Sequence, residues 1–303
     1  MNGIIIIDKP QNYTSFDVIA ILRKKFNQKK LGHMGTLDPM ATGVLPILLG
    51  DTAKFQIFTE NNKKEYIAKM EFGLTTDTLD STGKILNKTE CHIKRKEFES
   101  VLNNFLGEID QVPPMFSAIK QNGKKLCDLA RKGIEVEREK RKVEITSIEI
   151  LNFDEINQTA CIKIKCSCGT YIRSLCDDIG KILGCGAVMT ELRRTESNGF
   201  SQENSITLEK LNNLTLSELE KNYIFPTEYL FKNLKSVNIS EAQEKRFRNG
   251  GALSLDRIFS DFPLKNGINV KLYSKNEFIG LGCIDSTQKE IKVLKCLKSI
   301  QNQ

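Results

Sequence analysis

The sequence has 303 residues, which exceeds one typical domain of roughly 100–200 residues and favours one large domain with a smaller one. Its 40% apolar content supports a substantial core, and it contains no run of about eighteen apolar residues, so we expect neither a membrane span nor a signal peptide. Nine cysteines at irregular spacing favour reduced thiols and a cytoplasmic protein. The formal charge of +7 fits a polyanionic partner, but it also fits a general lysine bias.

The N-terminal part of the chain predicts two buried strands around a glycine-rich segment. Ile4 to Ile7 is a short apolar run, typical of a strand buried on both faces, and Val44 to Leu49 is another. Between them, Thr14 or Ser15 is expected to begin an amphipathic helix. The glycine-rich segment, Gly32 to Gly43, reads GHMGTLDPMATG and lies between packed elements.

This glycine-rich segment presents Asp38 from a stiff backbone. Pro39 fixes its own φ angle and pushes Asp38 towards an extended conformation. Gly32, Gly35 and Gly43 allow conformations and close approaches that other residues resist. A carboxylate held in this way suits a nucleophile or a general base, and the pattern is also compatible with a strained turn.

The next segment predicts a strand, an acidic turn and a helix. Alternation from Tyr66 to Phe72 indicates a half-buried strand with a tyrosine near its start. The following turn is rich in threonine and aspartate and contains Asp77 and Asp80. The spacing of the apolar residues from Phe98 to Leu106 predicts an amphipathic helix that ends near Gly107.

A basic excursion is predicted in the middle of the chain. Residues 115–120, MFSAIK, indicate a strand, and Asn122-Gly123 is a strong turn signal before a short helix. The pattern alone leaves open whether the charged face of this helix is solvated or binds a polyanion. Its cations are Lys124, Lys125, Arg131 and Lys132. Further along, Val143 to Ile150 and Ala160 to Cys166 indicate two more strands.

Helical spacing from Ile172 to Leu183 predicts a helix whose first turn contains Arg173. The helix dipole disfavours a cation at this position, so either Arg173 has a carboxylate partner or its side chain is exposed. The strand after this helix runs from Ala187 to Arg194. We expect Leu192 to point inward in that strand and Arg193-Arg194 to point outward.

After Pro226 the pattern changes to short strands with glycine turns. One helix, Glu241 to Arg248, precedes most of them, which predicts a small β-barrel of roughly sixty residues. We therefore divide the chain near Leu234, into residues 1–234 and 235–303.

Metal and other common chemistries find little support in the sequence. The cysteines between Cys161 and Cys185 lack paired CxxC spacing, and the strand and helix patterns account for several of them as core residues. The glycine-rich segment lacks the Gly-Lys-Ser/Thr ending of a phosphate-binding loop. With only His33 and His92 available, a Ser-His-Asp site is not indicated.

Six ordered segments carry a resemblance to a known family. They are IDKPQNYTS from Ile7, GHMGTLDPMATGVLPILLG from Gly32, KKEYIAKMEFGLTTDTLDSTG from Lys63, PPMFSAIKQNGKKLCDLARKGIEVERE from Pro113, CSCGTYIRSLCDDIG from Cys166, and LRRTESNGF from Leu192. On these segments the chain resembles the TruB-type tRNA pseudouridine synthases over nearly its whole length. It departs from them at Asn12, where glycine is usual, at Met34, where threonine is frequent, and at Cys168, where lysine is common. Asparagine tolerates the left-handed conformation, whereas Cys168 removes one possible phosphate contact.

The resemblance implies an α+β fold with a mixed, largely antiparallel sheet flanked by helices and a C-terminal PUA-like barrel. It implies isomerisation of the T-loop uridine at position 55 of tRNA to pseudouridine, without a metal or a cofactor. Asp38 matches the family's essential aspartate, and Arg173 matches the arginine that pairs with it. Tyr66 matches the tyrosine that stacks on the target base and helps to remove its C5 proton.

The resemblance also implies how RNA is bound. His33 is similar to the histidine that lies beside the flipped base, and Lys9, Asp80 and Leu192 match pocket or support positions. The basic excursion, around residues 120–140, resembles the family's RNA-gripping insertion. The expected partner is tRNA, bound at its T-arm, elbow and acceptor stem, by a monomer with no membrane and no obligate protein partner. Two alternatives remain, a tRNA-folding chaperone with incidental isomerase activity and a guide-RNA-dependent subunit of the dyskerin type.

Overall fold

The computed structural model describes residues 1–59 and 63–298, and it confirms the α+β class. The strands are β1 (Gly3–Lys9), β2 (Leu31–His33), β3 (Thr42–Leu49), β4 (Lys64–Phe72), β5 (Leu74–Thr76), β6 (Ile85–Lys88), β7 (Gly107–Gln111), β8 (Lys120–Gln121), β9 (Lys124–Lys125), β10 (Arg141–Asp154), β11 (Thr159–Cys166), β12 (Ala187–Ser197), β13 (Phe200–Ser201), β14 (Ile206–Thr207), β15 (Ile224–Phe225), β16 (Lys235–Asn238), β17 (Leu253–Ser254), β18 (Asn269–Ser274), β19 (Glu277–Asp285) and β20 (Glu290–Cys296). The α-helices are α1 (Ser15–Lys25), α2 (Arg95–Leu102), α3 (Leu126–Ala130), α4 (Ile172–Ile182), α5 (Leu208–Asn213), α6 (Leu216–Tyr223) and α7 (Glu241–Arg248). Of the helices in these two ranges, none is long and apolar enough to cross a membrane.

The larger sheet contains eleven strands and is mixed but largely antiparallel, as predicted. Its order is β14-β1-β3-β12-β4-β11-β10-β7, with β2, β13 and β15 paired to the side of this path. The pairs β1–β14 and β3–β12 are parallel, and the other pairs of this sheet are antiparallel. The sheet thereby brings β1, β3, β12 and β4, which lie far apart in the sequence, into adjacent positions.

Strand β1 is buried on both faces, as its continuous apolar run predicts. Ile5 packs in the main core together with Val18 and Leu22 of α1, whereas Ile4 packs in a smaller cluster with Phe200 on the other face. Thr14 caps α1 through a hydrogen bond to the Asp17 backbone amide. The side chain of Lys9, at the end of β1, donates to the Tyr13 carbonyl and holds the start of α1 close to this strand.

The C-terminal strands form a curled five-stranded sheet in the order β16-β18-β19-β20-β17. Its own core includes Phe247 of α7, and this helix begins and ends at the predicted residues, Glu241 and Arg248. The two outer strands, β16 and β17, are not paired with each other in the described chain, so the sheet is a half-barrel. A separate cluster of Phe55, Phe231, Phe278 and Leu281 lies between this sheet and the rest of the chain.

Two expectations from the sequence are wrong. Residues 115–118 form bends, not a strand, because their polar backbone groups bond locally: the Ser117 amide donates to the Met115 carbonyl, and the Ser117 carbonyl accepts from the Cys127 amide. The side chain of Arg194 is fully buried and does not point outward. Period-two alternation places residue 194 on the same side of β12 as the buried Leu192, and this outweighs the cost of burying a charge.

Candidate active site

Asp38 lies in a loop in which Leu37, Met40 and Ala41 are buried. The amide of Leu37 donates to Ser15 Oγ at 2.9 Å, so the first turn of α1 holds this part of the loop. The amide of Ala41 donates to the Asp38 carbonyl at 3.0 Å. The Asp38 side chain itself is 35% exposed, so a fixed backbone presents a carboxylate that a ligand can reach.

Two of the three glycines in the segment are required by their geometry. Gly35 has a φ angle of +89° and Gly43 one of +104°, both unfavourable for residues with side chains. A Cβ atom on Gly43 would also lie 2.2 Å from the Arg194 carbonyl oxygen, where β3 and β12 run in parallel. Gly32 has no positive φ angle, and a Cβ there would come no closer than 3.5 Å to Ala53, so nothing in the structure requires glycine at this position.

Arg173 pairs with Asp38, as the misplaced charge in the first turn of α4 suggests. Its Nε atom lies 2.9 Å from Asp38 Oδ2, and its side chain is only 5% exposed. Burial makes this guanidinium a fixed positive charge beside a more open carboxylate. The alternative that Arg173 has an exposed side chain is wrong.

The other nitrogens of Arg173 bind backbone carbonyls instead of forming a two-pronged contact with Asp38. Nη1 donates to the Thr78 carbonyl at 2.8 Å, and Nη2 donates to the Phe116 carbonyl at 2.9 Å. Arg173 therefore connects the Asp38 loop with the acidic turn after β5 and with the bends before the basic excursion. The irregular backbone at residues 115–118 is what makes the Phe116 carbonyl available.

Asp80 organises the acidic turn behind Arg173. Its Oδ1 accepts hydrogen bonds from the hydroxyls of Thr78 and Thr82 at 2.8 and 2.6 Å and from the Thr82 amide at 3.0 Å. Its Oδ2 lies 3.7 Å from Arg173 Nε, which adds charge attraction without a hydrogen bond. The side chain is 6% exposed, so Asp80 supports Arg173 from the interior of the protein.

Lys9 is fully buried at the end of β1 and fixes the loops next to Asp38. Its Nζ donates to the carbonyls of Pro10, Tyr13 and Pro39, at 2.9, 2.6 and 3.3 Å. Burial lowers the pKa of Lys9 from 10.5 to about 8, although the charge of Asp38 opposes this shift. The lysine thus joins the two loops through carbonyl groups.

Tyr66 lies on β4, directly opposite Arg194 of β12 and next to Ile164 of β11. It is 6% exposed, and burial raises the pKa of its phenol while the positive charge of Arg194 opposes the rise. Leu192 is 8% exposed and lines a groove of about 310 Å³ together with Met40. These residues supply an aromatic and an aliphatic surface close to the Asp38 loop.

His33 ends β2, with its ring in edge contact with Phe16 at a centroid distance of 6.3 Å. Its Nδ1 is buried and has no hydrogen-bond partner within the described residues. Burial and the charges of Arg194 and Lys64 lower the pKa of His33. The imidazole is therefore neutral near pH 7, so it can contact a ligand through its ring but not through a positive charge.

Sequence reasoning missed Arg194 and Lys64, although a usable signal was present. Arg194 lies two residues after Leu192 on β12, and Lys64 lies two residues before Tyr66 on β4, so alternation places both beside expected site positions. Arg194 Nε donates to the Val44 carbonyl at 2.7 Å, and Nη2 donates to the Gly35 carbonyl at 3.1 Å. Arg194 thereby holds both ends of the Asp38 segment.

The basic residues of the excursion are not brought to Asp38. Lys124 and Lys125 form β9 of a two-stranded hairpin, whose turn uses Asn122 and Gly123 at φ angles of +51° and +79°. Arg131 and Lys132 follow at the end of α3. All four of these cations are exposed. They form a separate basic surface, linked to the site through the backbone around Phe116.

The geometry supports chemistry by one carboxylate. Asp38 is oriented by a buried cation, lies close to an aromatic ring, and can act as a nucleophile or a base. In residues 1–59 and 63–298 there is no group of three or more His, Cys, Asp or Glu side chains that could hold a metal ion.

Comparison of the sequence with known families gives two matches in succession. Residues 23–172 match the family described as TruB family pseudouridylate synthase (N terminal domain), and residues 173–237 match the tRNA pseudouridylate synthase B C-terminal domain. A Clostridium tetani protein named tRNA pseudouridine synthase B is 46% identical over 300 residues, covering 98% of this chain and 100% of that protein. The protein of the same name from Alkaliphilus oremlandii is 41% identical, covering 98% of this chain and 99% of its own length.

Solved structures of similar fold belong to RNA-containing or related assemblies. A chain in the structure of an H/ACA RNP bound to a substrate RNA containing 2'-deoxyuridine has a TM-score of 0.71 and 26% identity, covering 99% of this chain and 86% of that chain. A chain in an archaeal box H/ACA sRNP Nop10-Cbf5 complex has a TM-score of 0.71 and 25% identity, with coverages of 99% and 87%. Both similarities extend over the larger and the smaller sheet.

Proposed function

The chain belongs to the TruB family of pseudouridylate synthases, and we propose that its target is the T-loop uridine at position 55 of tRNA. It is an isomerase that converts a uridine of tRNA to pseudouridine, the activity for which its relatives are named. The observation that best supports the site is the contact of 2.9 Å between Arg173 Nε and Asp38 Oδ2. It gives a half-open carboxylate a fixed orientation and a buried counter-charge.

The isomerisation exchanges one bond to the sugar for another. The bond between N1 of uracil and C1′ breaks, the uracil rotates, C5 bonds to C1′, C5 loses its proton and N1 gains one. Asp38 either adds to C1′, or takes the C2′ proton to give a glycal-like intermediate. Arg173 supplies a fixed positive charge to the carboxylate in both routes.

Tyr66 and His33 are assigned to the extruded nucleotide. Stacking of a base on an aromatic ring is worth about 1–3 kcal/mol, which is comparable with the few kcal/mol lost when a nucleotide leaves its stack. Tyr66 stacks on the uracil and assists removal of the C5 proton. His33 fills space beside the flipped base, which its neutral ring and unpaired Nδ1 support. Leu192 forms an apolar wall, and Lys9 and Asp80 position the loops.

The remaining contacts with tRNA are assigned by charge and by domain. Residues 1–234 form the catalytic domain, whose basic excursion grips the T-arm and elbow through its four exposed cations, Lys124, Lys125, Arg131 and Lys132. Residues 235–303 form a PUA-like domain that contacts the acceptor stem. The enzyme acts as a cytoplasmic monomer, and its nine cysteines are free thiols, in keeping with a reducing compartment.

A guide-dependent role is the alternative that one observation favours, because the similar solved structures are H/ACA assemblies. The curated relatives at 41–46% identity are instead named for tRNA, and the identity to them is higher. A stand-alone enzyme is therefore preferred over a guide-dependent subunit. The chaperone alternative differs from the enzyme in what it requires, because a chaperone must bind tRNA but does not need the carboxylate of Asp38.

The test is pseudouridine mapping at nucleotide resolution on an unmodified T-arm transcript treated with the purified protein alone. We expect one modified position, that of uridine 55. Asp38→Asn keeps the size of the side chain and removes the nucleophile or base, so we expect no pseudouridine and a tRNA affinity within a few-fold of wild type. Asp110→Asn, a change of the same kind at an exposed residue of β7, should retain full activity.

Other results separate the alternatives. Modification at a different uridine would reject position 55 while keeping the family activity. Inactivity that is restored by partner proteins and a guide RNA would favour the dyskerin type. A large loss of tRNA affinity in Asp38→Asn would show that this aspartate has more than a catalytic role.

A further inference from the structure

Two basic side chains converge on Gly35, and a third basic group lies close to both of them. A Cβ atom built on Gly35 would lie 2.8 Å from Lys64 Nζ and 3.5 Å from Arg194 Nη1. Because Gly35 has no side chain, this position is unfilled by the residue itself. The third basic group is His33, whose pKa is lowered by burial and by the charges of Arg194 and Lys64.

The two cations have hydrogen-bonding capacity that the protein leaves unused. Arg194 is 0% exposed, and its Nη1 has no hydrogen-bond partner in the described chain. The ammonium group of Lys64 likewise has neither a hydrogen bond nor an ion pair in the described residues, and burial together with the charge of Arg194 lowers its pKa. The other two nitrogens of Arg194 bind carbonyls, so the guanidinium is held in place while Nη1 stays unpaired.

This arrangement is unfavourable for the free protein. Buried charges are normally paired, and two like charges close together in a site of low polarity repel each other. The pattern contrasts with Arg173, which has Asp38 and Asp80 close to its Nε. An anion at Gly35 would satisfy these free donors. The position of a Cβ atom on Gly35 lies 2.8 Å from Lys64 Nζ, and an oxygen that binds a charged nitrogen lies at roughly 2.7–2.9 Å.

We propose that Lys64 and Arg194 form a binding site for a phosphodiester group of the substrate RNA, adjacent to the extruded uridine. The assignment to RNA rests on the proposed function. Arg194 is the direct cross-strand partner of Tyr66, and Lys64 lies two residues before Tyr66 on the same strand. A nucleotide whose base stacks on Tyr66 therefore has its backbone beside these cations. The left-handed Gly35 gives the phosphate room to approach.

Lys64→Met tests the site because it removes one charge while keeping much of the apolar length of the side chain. We expect RNA affinity to fall roughly fivefold at 0.1 M salt, and the slope of log affinity against log salt to decrease by about 0.7, as for one lost phosphate contact. Without RNA, the variant should have a higher melting temperature than wild type, because repulsion between Lys64 and the buried Arg194 is relieved. Lys96→Met, at an exposed residue of α2, is the matched control and should change neither quantity.

A neutral linkage in the RNA identifies the phosphate. T-arm RNAs with one methylphosphonate each, placed in turn around uridine 55, are bound to Asp38→Asn protein so that no turnover occurs. One linkage should weaken binding about as much as Lys64→Met does, and adding Lys64→Met at that linkage should cause no further loss. Inorganic phosphate at about 10 mM should raise the melting temperature of wild type more than that of Lys64→Met.

Three results would overturn the inference. In the first, Lys64→Met binds RNA with wild-type affinity and salt dependence. In the second, the variant loses both affinity and thermal stability, as a merely structural residue would. In the third, inorganic phosphate stabilises wild type but no neutral linkage matters, which would mark a site for free anions only. Wild-type pseudouridine formation on the same T-arm is measured in parallel, so failure of the proposed function would be seen separately.

Discussion

Arg173 shows how one buried side chain can fix the carboxylate that we propose to be catalytic by holding several segments at once. Its Nε binds Asp38, while Nη1 and Nη2 bind the carbonyls of Thr78 and Phe116. The contact with the carboxylate is therefore a single ion pair, and the planar guanidinium directs its two hydrogen bonds to carbonyls of two other segments. The orientation of Asp38 depends on all three.

Arg173→Lys should lower turnover far more than binding. A lysine keeps the charge, but its single nitrogen cannot reach all three acceptors, so the carboxylate loses its fixed position. A displacement of about 1 Å can cost on the order of 100-fold in rate, and we expect a fall in kcat of this size with KM within a few-fold. Single-turnover pseudouridine formation on T-arm RNA measures it, with Arg95→Lys, at an exposed residue of α2, as the control. An unchanged kcat would exclude Arg173 from the site.

Lys9 makes activity sensitive to alkaline pH. Its pKa of about 8 means that it loses its proton as the pH rises through this value, and its bonds to the carbonyls of Pro10, Tyr13 and Pro39 weaken. The groups that set this pKa, besides burial, are Asp38 and Asp17, which raise it, and Arg194, which lowers it. We expect kcat to decline above about pH 8 in wild type.

The sign of the effect on stability separates this decline from unfolding. The folded pKa of Lys9, about 8, is lower than the usual value of 10.5, so the folded protein binds this proton more weakly than the unfolded chain does. As the pH rises from about 8 to 10.5, the free energy of unfolding therefore increases, although the loss of this proton loosens the loops around Asp38. Lys9→Gln should have low kcat without the decline near pH 8. A decline of the same shape in the variant would assign it to another group.

The turn between β5 and β6 supports Arg173 through its conformation. Leu79 has a φ angle of +62°, which is costly for a residue with a branched side chain, and the adjacent Asp80 carboxylate collects three hydrogen bonds. The Leu79 carbonyl accepts a hydrogen bond from the Met189 amide of β12. The strained conformation is thereby fixed from both sides, and it directs the Thr78 carbonyl to Arg173.

Asp80→Ala should release this turn. Three hydrogen bonds from partly buried donors would be lost, each worth about 0.5–1.5 kcal/mol, so we expect a drop in the free energy of unfolding. Turnover should fall as well, because Arg173 loses both the nearby charge and a firmly held Thr78 carbonyl. Asp77→Ala is the matched control, since Asp77 is exposed and its side chain accepts only the Lys84 amide among the residues that the structure describes. Chemical denaturation and kcat are measured for both. Equal losses of stability and kcat in Asp80→Ala and Asp77→Ala would show that Asp80 does not support Arg173 more than its neighbour does.

The elements with a clear period were predictable from sequence, and the contacts between them were not. The strands around Ile4 and Tyr66 and the helix that carries Arg173 follow from local hydrophobic patterns, and their bounds agree with the structure to within a few residues. The short helices α5 and α6 were not predicted, since each spans only about two turns. The curled C-terminal sheet was predicted from glycine turns and short strands, although as a closed barrel.

For the candidate site, side-chain identities were easier to predict than partners. The pair of Asp38 and Arg173 was expected, partly from the misplaced charge and partly from the resemblance. The carbonyls of Thr78 and Phe116 carry no signal in the sequence, because every residue has a carbonyl. Arg194 was placed outward although its spacing from Leu192 indicated the opposite, since arginine is rarely buried without a partner. The general preference of arginine for the surface therefore predicts the wrong orientation for a buried cation that has no carboxylate partner.

The two sheets are joined by an aromatic cluster that couples their stability. Phe55 lies 6.1 Å from Phe231 and 5.8 Å from Phe278 between ring centroids. Phe278 belongs to β19 of the C-terminal sheet, whereas Phe55 follows β3 of the larger one. This contact holds the C-terminal sheet in one position relative to the catalytic loop, and we infer that full-length tRNA needs this position because it must meet both parts at once.

Phe278→Ala should therefore affect long and short substrates differently. Truncating this buried ring should lower the free energy of unfolding by about 3–5 kcal/mol and loosen the join between the sheets. The Asp38 loop does not contain this residue, so kcat/KM on an isolated T-arm should stay within about twofold, whereas kcat/KM on full-length tRNA should fall about tenfold, because contacts that act together lose their fixed spacing. Phe259→Ala is the control, since Phe259 lies in the same part of the chain but is 93% exposed. Equal losses on both RNAs would mean that the cluster serves folding alone.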